Sequence, residues 1–178
     1  DNSHLYWDKV REDKRIRYVE NSKHNLADTD AIDSLLAWYN SVITGAKRPE
    51  YSWAKGADGS LTVATPDKPT EVKLWQAHSD TRDFRVELIG NAYTSSVLQP
   101  QADGSYVAQV AKPEKGFTAF FVELTFDSGL ANAPFNFSTE VSIVPDVLPF
   151  KGEAAAEKYK DTIRNADSPV EPRKEPKG

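Results

Sequence analysis

The chain has 178 residues, 22 Lys and Arg against 27 Asp and Glu, and a net charge of −5, so it lacks the clustered basic side chains that phosphate recognition needs, and nucleic acid is set aside as a partner. With 39% hydrophobic and 28% charged residues it has the make-up of a folded protein with one good core or two small ones, and its longest apolar run, Ala119-Phe120-Phe121-Val122, is far too short to span a bilayer. It contains neither Cys nor Met, which excludes disulfides, thiolate metal sites and a cysteine nucleophile; without Met at its head, and with no signal sequence there, the chain is expected to begin inside a longer protein.

Ser3 is placed to cap a short helix in which Leu5, Tyr6, Lys9 and Val10 share one face, ended by the charged run 11–14. Arg15-Ile16-Arg17-Tyr18-Val19 then reads as a short strand, and its two arginines require cover from neighbouring strands. An Asn-Ser-Lys-His-Asn loop at 21–25 follows. A clear amphipathic helix comes next: Asp28, Thr29 or Asp30 can cap it, Ile32, Leu35, Leu36, Tyr39, Val42 and Ile43 keep helical spacing, and Gly45 with Pro49 ends it.

From Tyr51 the period changes to two. Asp58-Gly59 separates Tyr51–Trp53 from Leu61–Val63, and Asp103-Gly104 separates Thr94–Leu98 from Tyr106–Val110, so two hairpins are expected. Val72 and Leu74, the alternating Phe84, Val86 and Leu88, the series Phe120, Val122, Leu124 and Phe126, and Phe135, Phe137, Val141 and Ile143 bring the count to about seven short strands. Turns every ten residues or so point to an immunoglobulin-like or fibronectin-like antiparallel sandwich. After Pro149 the composition turns to Lys, Glu, Ala and Pro, with a helix expected from Glu153 to Arg164 and then a mobile tail. The expected organisation is therefore an α/β segment over 1–48, an all-β sandwich over 49–150 and a charged, Pro-containing tail over 151–178.

Of the three histidines, His4, His24 and His78, His24 has the setting for proton transfer near neutral pH. A base on the loop after a strand and before a helix reads as the last catalytic member of an α/β-hydrolase, in which the nucleophile and the acid come earlier; the plain alternative is an exposed loop histidine. The chain has no Gly-x-Ser-x-Gly elbow, so it is not expected to perform triad chemistry by itself. Asp1 is a poorly placed acid, and Asp28 and Asp30 read better as helix caps. The acidic stretch 28–33 lacks the calcium-loop pattern and its glycine, so no metal and no cofactor is expected. The sandwich aromatics read as core rather than as a carbohydrate or peptide platform, except Trp75, which falls on the face opposite Val72 and Leu74 and is expected to pack between domains.

The stretches Tyr6-Trp7-Asp8, Arg17 to Leu26, Leu35 to Tyr39, Val72 to Ala77 and Lys115 to Phe126 resemble the C-terminal half of the PhoPQ-activated pathogenicity-related protein family, over residues 1 to about 150. The resemblance implies an exported (secreted or periplasmic) α/β-hydrolase-like protein whose catalytic half lies upstream, with a β-sandwich as its last domain and His24 at the position of the presumed triad histidine. The implied partners are that upstream half, in the same protein or a companion chain, and a small-molecule or peptide substrate. Three functions follow: a serine hydrolase of ester or peptide bonds, completed by the upstream half; a secreted binding or signalling protein that keeps the scaffold without the chemistry; and a free-standing adhesion-like sandwich, which requires residues 1–45 to fold against it. On the hydrolase reading the strand at 15–19 lies beside another chain or the missing polypeptide, and Leu35, Leu36 and Tyr39 face that region.

Overall fold

The computed structural model describes residues 3, 6–11 and 13–148. The expectations that concern Asp1, His4 and the helix and tail after Pro149 lie outside the described residues.

Two antiparallel sheets form the body of the compact unit that ends at Asp146. The first holds β1 (Ser52–Lys55), β2 (Leu61–Ala64) and β5 (Tyr106–Ala108) in the order β1-β2-β5. The second holds β3 (Glu71–Ser79), β4 (Thr94–Val97), β6 (Phe117–Phe126), β7 (Phe135–Ser138) and β8 (Ser142–Val144), ordered β4-β3-β6-β7 with β8 also on β6. Every strand pair among the described residues is antiparallel. The long pair β3 and β6 runs in register from Glu71 opposite Thr125 to Ser79 opposite Phe117 and is the spine of the fold.

The period-two pattern of β6 sorts its side chains between two cores. Phe120, Val122, Leu124 and Phe126 point toward the first sheet, where they meet Leu61, Val63, Val72, Leu74 and Ala108, each buried large side chain contributing about 1.5–3 kcal/mol. Ala119 and Phe121 point the other way and join Val141 and Ile143, under Tyr18, Trp75, Phe84 and Tyr93. The sandwich is thus packed on both faces of its larger sheet by its own chain.

Two expected hairpins have different outcomes. The first forms as read, β1 pairing with β2 across the Asp58-Gly59 turn. At Asp103-Gly104 a tight turn does form, with the Gly104 N–H donating to the Gln101 carbonyl at 2.9 Å, but β4 pairs with β3 and β5 with β2. The turn carries the chain from one sheet to the other. The alternation at Phe84, Val86 and Leu88 is not a strand either: Val86–Ile89 is a single helical turn, α2, closed by Gly90, with Phe84 laid on the outer face of the larger sheet.

Among the described residues near the N-terminus, Trp7–Lys9 form a 3-10 turn; the start of the short helix expected there falls partly on residues outside the described ones. No regular strand forms at 15–19. The segment runs beside β7 instead: the Ser138 N–H donates to the Ile16 carbonyl at 2.8 Å and the Tyr18 N–H to Ser138 Oγ at 2.9 Å. A bare strand edge needs such cover, and the sheet that supplies the partner belongs to this same sandwich rather than to missing polypeptide. The second helix, α1 (Ala31–Thr44), ends at Gly45, whose φ of 71° is left-handed and free for glycine alone. Trp38 meets Phe137 edge to face at 6.2 Å, and Ala37 joins the main core.

Candidate functional site

The loop from Asn21 to Asp30 joins the segment beside β7 to α1 and carries His24. Its first residue fixes it to the body. Asn21 Nδ2 donates to the Tyr93 carbonyl at 2.9 Å and Asn21 Oδ1 accepts from the Tyr93 N–H at 2.9 Å, so one side-chain amide reproduces the pairing of a strand residue. Tyr93 is itself held by burial against Phe121, ring to ring at 5.9 Å, which pushes its phenol up to about 12. The rest of the loop is tied locally: Ser22 Oγ donates to the Val19 carbonyl, the Leu26 N–H to the Lys23 carbonyl at 3.0 Å, the Ala27 N–H to Asn25 Oδ1 and Thr29 Oγ1 to the Leu26 carbonyl.

Three residues without glycine's freedom take left-handed backbone in this stretch, Asn21 (φ 49°), Leu26 (φ 52°) and Asp28 (φ 59°). Asn and Asp tolerate that region through local hydrogen bonds, whereas for a bulky aliphatic residue it is strained. Leu26 is 45% exposed, and its backbone is held by the bonds to the Lys23 carbonyl and from Thr29 Oγ1. His24 stands on this loop with an exposed side chain, and among the described residues no hydrogen bond or ion pair involves its ring. An imidazole held so can take and give a proton to a group brought from outside; the described residues hold no second member of a triad beside it.

Below the loop lies a polar cluster that the sequence reading missed. Arg17 reaches both Asp30 and Ser34, and Asn136 Nδ2 donates to Asp30 Oδ2 at 2.9 Å, which ties the start of α1 to β7. Glu123, opposite Lys73 on β3 and Ser138 on β7, is buried and accepts from Trp75 Nε1 at 3.3 Å. Burial raises its carboxyl above the ordinary range, and the nearby Glu20 carboxylate adds to this. Lys73 is raised chiefly by its hydrogen bond to Glu71. The signal was present as charged residues at the outward positions of β3 and β6, which period two places on one face.

The remaining candidates fall elsewhere. His78 is exposed and sits 3.4 Å from Asp80 Oδ1, with Lys115 on the other oxygen at 3.0 Å, a surface charge cluster. Trp75 is half-buried in the second core, in the same cluster as Phe121 and Ile143 of the sandwich and Tyr18 of the N-terminal segment. Among the described residues no group of three or more His, Cys, Asp or Glu is arranged to hold a metal ion, and no described helix is long and apolar enough to cross a membrane. Trp7, Tyr51 and Trp53, with Lys14 and Ser52, line an open hollow of about 250 Å³; Trp7 and Trp53 are 5.6 Å apart, and Tyr51 stacks on Trp53 at 5.7 Å.

Residues 1–85 match the family model described as PhoPQ-activated pathogenicity-related protein, a stretch that contains the His24 loop and all of α1. The curated protein Autocrine proliferation repressor protein A of Dictyostelium discoideum is 28% identical over 177 aligned positions, which take in 84% of this chain and 36% of the relative. The chain therefore spans little more than a third of the length of that relative.

Proposed function

We propose, from the match of residues 1–85 to the model of the PhoPQ-activated pathogenicity-related protein family, that this chain is the C-terminal portion of an exported α/β-hydrolase-like protein and that His24 is the proton shuttle of a serine hydrolase acting on ester or peptide bonds. The supporting observation is the loop itself, a contorted segment pinned to the sandwich through Asn21 and Tyr93 that holds an exposed imidazole on a stretch matched by the family. On this reading residues 1–48 are the closing part of an α/β domain, and residues 49–150 form an immunoglobulin-like or fibronectin-like sandwich that shapes access to the site. The serine and the acid come from the larger part of the protein, of which the relative's length is the measure. His24 then takes the proton from the serine as the acyl carbon is attacked and passes it to the leaving group.

The test uses the full-length protein from the source gene. It reacts with a serine-directed fluorophosphonate, and His24→Ala abolishes the reaction while leaving the melting temperature unchanged; labelling that survives the substitution removes His24 from the chemistry.

A second reading has its own support. The relative's name describes a repressor of proliferation acting on the cells that release it, which fits a secreted signalling protein on the same scaffold. A full-length sequence with no serine at the upstream elbow, together with no labelling at all, would support that reading.

A further inference from the structure

Helix α1 turns its apolar stripe away from the sandwich. Toward the sheets it presents Ser34, Ala37, Trp38 and Ser41, the first and third half-buried and the other two buried. Outward it presents Ile32, Leu35, Leu36, Tyr39, Val42 and Ile43, which are 50–63% exposed. A helix lying on a lone domain buries its apolar stripe; here the small and hydroxyl-bearing side faces the body and the large aliphatic side faces out. The exposed apolar area is on the order of 600 Å², at the upper end for the largest patch of a monomer, and it approaches the ~800 Å² that one partner gives to a standard interface.

We infer that this face seats an aliphatic and aromatic surface of the longer polypeptide, a conclusion that rests on the reading above for what that polypeptide carries. Three observations select this occupant over a second copy of the chain. The larger part of the relative lies outside the match, so polypeptide of the required size exists in a protein of this kind. The stripe continues from the His24 loop, whose Asp30 is the N-cap residue of α1 and whose Leu26 is also exposed, so a cover over the first turn of α1 adjoins that loop. A second copy would bring another His24 loop but no serine elbow, since the chain has no Gly-x-Ser-x-Gly. The stripe carries no charge, so its partner is apolar rather than an acidic or basic surface.

Amide hydrogen exchange of residues 31–44, measured in the full-length protein and in the 178-residue chain, tests the inference. Exchange is expected to be slower by roughly tenfold or more in the full-length protein. The double variant Leu35→Asp with Tyr39→Asp removes that difference and leaves exchange elsewhere in the 178-residue chain unchanged, because both side chains are already exposed there. Equal exchange in the two proteins overturns the inference, as does sedimentation showing that the 178-residue chain dimerises and that the double variant restores the monomer. Fluorophosphonate labelling of the same full-length preparation separates the two claims: protection of α1 without labelling sinks the enzymatic reading and leaves the docking intact, whereas labelling with an unprotected α1 sinks the docking alone.

Discussion

Asn21 does two jobs that few residues can combine. It adopts a left-handed backbone and pairs both ends of its amide with the Tyr93 backbone. Asn21→Ala loses both bonds and keeps the unfavourable φ, so it should destabilise by about 1–3 kcal/mol in a urea titration, with Asn21→Asp, which keeps the acceptor, losing less. His24→Ala in the 178-residue chain should stay within about 0.5 kcal/mol of the parent, since the exposed ring touches nothing that stabilises the fold. Glu123 gives a pH signature. Its folded carboxyl titrates above the ordinary value because burial disfavours the charge, so between the unfolded and folded values the native state holds more protons than the unfolded one, and stability falls as pH rises through that window. Glu123→Gln keeps an acceptor for the Trp75 N–H and removes the buried charge; its stability relative to the parent, read from melting temperatures, should become more favourable from pH 4 to pH 7. A difference that does not change with pH would show that Glu123 does not titrate in this way. The lone exposed histidine on its loop was readable from residue order. The cluster around Glu123 showed in the sequence only as charges at the outward positions of two strands, and Lys73 and Glu123 become partners once β3 and β6 pair.

Elements defined by local pattern were legible, and those defined by distant pairing were not. The Asp58-Gly59 hairpin, the helical spacing of α1 and the alternation of β6 are visible within a dozen residues. The Asp103-Gly104 turn has the same local chemistry as the first hairpin, yet β5 finds β2 across a gap of forty-odd residues, a contact no local signal records. At Val86–Ile89 the apolar alternation was too short to distinguish a strand from one turn of helix. Two substitutions probe the spine. Phe120 is fully buried between the sheets, so Phe120→Ala should cost about 3–5 kcal/mol. Gly116 has φ 72°, and a Cβ there would stand 2.6 Å from the Ser79 carbonyl oxygen; Gly116→Ala should destabilise by more than ~1 kcal/mol, as read by the urea midpoint, because β3 backbone has to shift to admit the methyl group.

At the scale of the whole molecule, the N-terminal portion has two loyalties. Its segment at 15–19 covers the edge of β7 and sends Tyr18 onto Phe121 at 5.8 Å, so this part belongs to the sandwich, as the free-standing reading requires. Helix α1 lends the sandwich Ala37 and Trp38 and keeps its larger apolar side facing out, as expected of a piece that also belongs to something else. Helical spacing revealed that α1 has an apolar stripe, and only tertiary structure revealed that the stripe points outward. The same division governs function: residue order brings His24 to the loop before α1, while the partners that the proposed chemistry requires would come from the longer polypeptide of that reading. The most direct measurement is fluorophosphonate labelling of the full-length protein beside its His24→Ala variant. The account predicts one labelled serine in the parent and none in the variant, with equal melting temperatures; equal labelling of both would contradict it.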